Sequence, residues 1–138
     1  KFVAGFIGSP AMNFMVGTAQ DGRITSPHFD LKPGGELAQK LRAYNGKKVY
    51  VGIRPENLDI RGEGSIAEGE NIIKATVDVV EPLGAETMII ASVGGDQSIV
   101  ARVDPHTRVR AGDQIELVAD LQFLHAFDLE TENNIRFA

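Results

Sequence analysis

IKATVDV, residues 73–79, decides the fold class. Ile73, Ala75, Val77 and Val79 fall on one face of an extended chain, and Lys74, Thr76 and Asp78 fall on the other. That period of two is what a half-buried strand requires. The same alternation recurs downstream. Ile99, Ala101 and Val103 line up in one segment, and Ile115, Leu117 and Ala119 in another, with Glu116 and Asp120 turned outward. Turn chemistry separates the segments: Gly94-Gly95-Asp96, between Val93 and Gln97, predicts a hairpin, and Gly112-Asp113 announces the next strand. Asp21-Gly22-Arg23 opens like a calcium loop but lacks the later ligands, so it reads as a turn.

Upstream, residues 49–53 and 88–93 read as buried strands, and residues 55–58 as a single helical turn. One helix interrupts the strands. Over residues 36–44, Leu37, Leu41 and Tyr44 share a stripe, Glu36 and Lys40 are spaced i,i+4, and Asn45-Gly46 supplies a carboxy-terminal cap. Many short antiparallel strands with one helix at a connection predict a mainly β protein. The expected architecture is small closed barrels of the OB type, in which closure removes exposed strand edges.

The composition sets bounds on function. A chain of 138 residues with 43% apolar side chains has material for one compact domain or two small intertwined barrels, split at about residue 70. Without cysteine there are no disulfides, thiolate metal sites or cysteine nucleophiles, which fits a reducing, cytosolic compartment. The net charge of −5, with Lys and Arg scattered, argues against a nucleic-acid partner. No apolar run approaches the ~20 residues needed to span a bilayer. The amino-terminal run KFVAGFIGSPAMNFMVGTAQ has the apolar character of a signal peptide, but Gly5, Gly8 and Pro10 break its helix. A start at Lys1 rather than Met fits a fragment of a longer protein.

Catalytic motifs fail on their chemistry. Gly46-Lys47 is preceded by Leu41 where a phosphate-cradling loop needs Gly, and followed by Lys48 where it needs Ser or Thr. Gly62, Gly64 and Ala67 match a dinucleotide-binding spacing, yet Gly69 blocks the helix on which a pyrophosphate would sit. His28, His106 and His125 are isolated, with no spacing that sets two on one helical face. His125 alternates with Phe123 and Phe127 and reads as a hydrogen-bonded structural imidazole. No catalytic, cofactor or metal residue is assigned.

Four blocks in order, GFIGSPAMNF at 5–14, VGIRPENL at 51–58, VDVVEPLGAETMI at 77–89 and HAFD at 125–128, together resemble one family. They are similar to the carboxy-terminal region of ATP-binding subunits of maltose, glycerol-3-phosphate and related sugar importers, and the later blocks to its TOBE (transport-associated OB) motif. The resemblance implies a non-catalytic regulatory and dimerisation region that follows a nucleotide-binding domain and lies at the inner face of the membrane. ATP and magnesium would belong to the parent subunit, not to this region. Partners would be that upstream domain, a second copy, the permeases indirectly and, in some members, a phosphotransferase-system protein that blocks closure.

Carried onto this sequence, the resemblance makes Phe6, Gly8, Ser9 and Pro10 the path in from the ATPase domain. Arg54, Pro55 and Glu56 would form a rigid turn near an interface, and Glu81, Gly84 and Glu86 an exposed turn. Two departures weigh against the phosphotransferase partner: Ala126 stands where many members have leucine, and residues 62–71 match poorly. Two other functions compete. A related oxyanion-binding barrel of the molybdate type would need a serine-lysine cluster that the sequence does not display. An OB fold binding single-stranded nucleic acid would need a basic, aromatic groove.

Overall fold

The computed structural model describes residues 11–94 and 97–135. Within them ten strands run β1 (Asn13–Gln20), β2 (Arg23–Ser26), β3 (Phe29–Leu31), β4 (Lys48–Ile53), β5 (Leu58–Ile60), β6 (Ile72–Pro82), β7 (Thr87–Ser92), β8 (Ser98–Val103), β9 (Gln114–Ala119) and β10 (His125–Asp128). The protein is mainly β, as the alternation predicts. Among the described residues the one α-helix, α1 (Gly35–Leu41), tightens into a 3-10 turn over Arg42–Tyr44. Leu37 and Leu41 on its inner stripe are fully buried, and Tyr44 packs against the core. Gly46, at φ +82°, ends the helix where a side chain would be strained.

Every ladder is antiparallel. The order is β10-β4-β1-β2-β3-β6-β7-β8, and β9 pairs with both β5 and β6. Asp21 and Gly22, both at positive φ, make the tight β1–β2 turn, so the calcium-like tripeptide is indeed a turn. The expected β7–β8 hairpin forms, with the Gln97 amide donating to the Gly94 carbonyl at 3.1 Å; Gly95 and Asp96 lie outside the described residues. Pro55–Asn57 is the expected helical turn, in 3-10 form.

The founding strand departs from its pattern at one end. Ile73, Ala75 and Val77 are buried, but a β-bulge between Val77 and Val79 shifts the register against β7. Val79 is thereby turned out, 44% exposed, and Val80 packs on the core in its place. An inserted residue flips the parity of every later side chain, which strict alternation cannot anticipate.

The sheet curls back on itself, so that β8 lies against β5 and against the start of β1. No ladder joins these strands among the described residues. Instead the buried Asn13 carboxamide donates to the Val100 carbonyl at 2.7 Å and accepts from the Val100 amide at 2.8 Å, reproducing one rung of a ladder with a side chain. Gln97 Oε1 accepts from the Val16 amide at 2.5 Å and adds a second stitch. Around this closure the core residues Met15, Ile53, Ile89 and Leu117 have no exposed surface, each burial stabilising by roughly 1.5–3 kcal/mol.

Candidate functional site

Of the residues marked by family resemblance, Phe6, Gly8, Ser9 and Pro10 lie outside the described residues. The other two groups are exposed turns that β8 connects. Pro55 is buried and fixes the first turn, the Asn57 amide donates to the Arg54 carbonyl at 2.9 Å, and the turn packs against β8. Arg54 and Glu56 project into solvent, and the Arg54 guanidinium meets no carboxylate among the described residues. The second turn spans residues 83–86, closed by the Leu83 amide on the Glu86 carbonyl at 2.8 Å, with Gly84 at φ +89°. Glu86 reaches Arg102 of β8 at 3.3 Å, while Glu81 and Leu83 are exposed.

His125 is half-buried and stacks on Phe127, with centroids 6.2 Å apart, and its Nδ1 accepts from Asn134 at 3.1 Å. The imidazole is hydrogen-bonded as expected, but the alternation holds only with Phe127, because Phe123 lies in the 3-10 turn Leu121–Phe123 and is exposed. Ala126 is fully buried opposite Val51. At the end of the same strand, the backbone amides of Thr131 and then Glu130 hold the Asp128 carboxylate below its ordinary range, and the Tyr44 hydroxyl adds to them. Residues 62–71 form no helix; Asp59 Oδ2 accepts from the amides of Ser65 and Ile66, and Asn71 bridges Ala67 and Ala119. The dinucleotide-like spacing therefore has no helix terminus to offer.

Sequence reasoning missed a trough at the fork of the sheet. One edge of β6 is held first by β3, where the Lys74 amide donates to the His28 carbonyl at 2.9 Å, and from Thr76 onward by β7. Between the two partners the edge is open. The resulting hollow, about 940 Å³, is walled by His28, Ser92 and Gly94 and floored by Lys74, Ala75 and Thr76. Gln114, Ile115 and Glu116 of β9 close the far side. Gly94 approaches His28 so closely that a Cβ there would stand 2.0 Å from Nε2. These residues are dispersed in sequence, and only the fork gathers them.

Residues 8–58 match the MalK OB fold domain, and residues 51–127 match the TOBE domain. The chain belongs to the TOBE family. This TOBE chain is 40% identical to the oligosaccharides import ATP-binding protein MsmX of Bacillus subtilis, over 98% of its own length and 37% of MsmX. It is 39% identical to the trehalose/maltose import ATP-binding protein MalK of Thermococcus litoralis, over 94% of its length and 36% of MalK. The chain thus spans little more than a third of these curated relatives. A solved structure of the cytoplasmic molybdate-binding protein ModG aligns with it at a TM-score of 0.62, covering 87% of this chain and 96% of that one. At 16% identity this likeness speaks for the TOBE fold alone. No helix among the described residues is long and apolar enough to cross a membrane.

Proposed function

We propose that this chain is the regulatory and dimerisation region of the ATP-binding subunit of a sugar importer, and that it performs no catalysis itself. The observation that carries this reading is that MsmX and MalK, both sugar-import ATP-binding proteins, align with nearly the whole chain while extending far beyond it. The parent subunit would bind ATP and magnesium in an upstream nucleotide-binding domain and sit at the cytoplasmic face of the membrane through its permeases. Two interwoven OB-like halves, meeting near residue 70, would form the region. The exposed turns at 54–57 and 83–86, both attached to β8, are the surfaces offered to a second copy or to a regulatory protein.

The mechanism is linkage. By holding two subunits together in open and closed states alike, the region raises the effective concentration of the ATPase domains for one another, to the millimolar range for short tethers. Closure becomes nearly intramolecular. A regulator that binds only the open arrangement shifts the balance by its differential affinity, about 1.4 kcal/mol per tenfold preference. The experiment compares the full subunit with one lacking this segment, in ATPase coupling and dimer lifetime. Deletion is expected to shorten the dimer lifetime and weaken coupling; if both are unchanged, the reading fails.

A further inference from the structure

We propose that the trough at the β6 fork is a binding site for a small hydroxylated anion, such as a phosphorylated sugar, with Lys74 supplying the charge that holds the anionic group. The charge distribution carries the first half of this assignment. Glu116 lies directly opposite Lys74 in the β6–β9 register, yet turns to the Arg61 guanidinium at 2.6 Å. Arg61 is in turn shared with Glu68 at 2.8 Å, so both of its sides are taken by carboxylates. Asp78, the next acid along β6, accepts from the Ser92 hydroxyl at 2.5 Å. The acids nearest the trough are therefore engaged, whereas the Lys74 ammonium meets no carboxylate among the described residues. An anion placed there gains a cation without having to displace an existing ion pair.

Size and lining carry the second half. Small-molecule pockets run from about 300 to 1,000 Å³, so a hollow of about 940 Å³ is on the scale of an organic molecule, not of a bare tetrahedral ion. Thr76, Gln114 and the His28 ring offer hydrogen-bonding groups around the charge. Ser92, its proton given to Asp78, offers lone pairs to a ligand hydroxyl.

The hollow is lined by residues of this chain, so its test is independent of any role in an importer. Backbone amide shifts and calorimetry of the full 138-residue chain would be followed with glucose 6-phosphate, glucose, inorganic phosphate and molybdate. Glucose 6-phosphate is expected to bind at least tenfold more tightly than the other three, with shifts centred on residues 74–76, 92–94 and 114–116. Lys74→Met should weaken it at least tenfold, and Lys48→Met, on exposed β4, should leave it unchanged. Because shift mapping uses the unaltered chain, the assignment stays testable even if a variant folds poorly. Absence of binding, shifts centred elsewhere, or equal affinity in Lys74→Met would overturn the site. Glucose, phosphate or molybdate binding as tightly as glucose 6-phosphate would overturn the class of ligand.

Discussion

Asn13 shows how much one side chain can carry. Its carboxamide satisfies both main-chain groups of Val100 inside the protein, and a buried donor or acceptor left unmet costs about 1–3 kcal/mol. Asn13→Ala is expected to destabilise the fold by about 2–4 kcal/mol, read from the urea midpoint. Gly94 is constrained twice, by φ +64° and by the His28 ring. Gly94→Ala should cost about 1–3 kcal/mol, and adding His28→Ala should recover only the steric part of the loss. At Asp128 the folded pKa is lowered, first by the Thr131 amide and then by Glu130. Its contribution is therefore fully present above the unfolded value of about 3.9 and is lost as pH falls through the folded value. Thermal melts of Asp128→Asn in acid should show a flatter decline than the parent. Asn13 was partly legible: it shares strand parity with Met15 and Ala19, and a polar residue on a core face signals a partner. That the partner is Val100, 87 positions away, was not legible, since nothing local encodes it.

At the level of the element, β6 separates what alternation can and cannot tell. Its first half obeys the parity of the sequence, because burial against β9 fixes which face is apolar. Its second half does not, because the bulge adds a residue that no composition marks. The consequence is testable with two conservative changes. Val77→Ala should cost about 1–3 kcal/mol, as a fully buried methyl pair is lost, whereas Val79→Thr should stay within about 0.5 kcal/mol. Equal costs in chemical denaturation would argue that the bulge is not formed in solution. The helix was foreseen from its stripe and its terminal Gly46, and only its change to 3-10 geometry at Arg42 was not. The Arg54 turn was expected from the family resemblance, and its guanidinium meets no carboxylate among the described residues. The trough could not be read at all, since a fork is a property of three strands and not of any one.

Over the whole molecule, a single branched sheet connects early and late segments, so no part can open without exposing the edge of another. Unfolding is expected to be one cooperative transition, with far-ultraviolet circular dichroism and the fluorescence of Tyr44 and Tyr50 changing together. Two resolved transitions would mean that the halves melt separately. The pairing of β10 with β4 also bears on how the chain is made. Translation releases β4 long before its neighbour His125–Asp128 has been synthesised, leaving the nascent protein with an unprotected apolar border of the kind that recruits other polypeptides. Ribosome-bound intermediates of this chain would need shielding by chaperones until His125–Asp128 emerges.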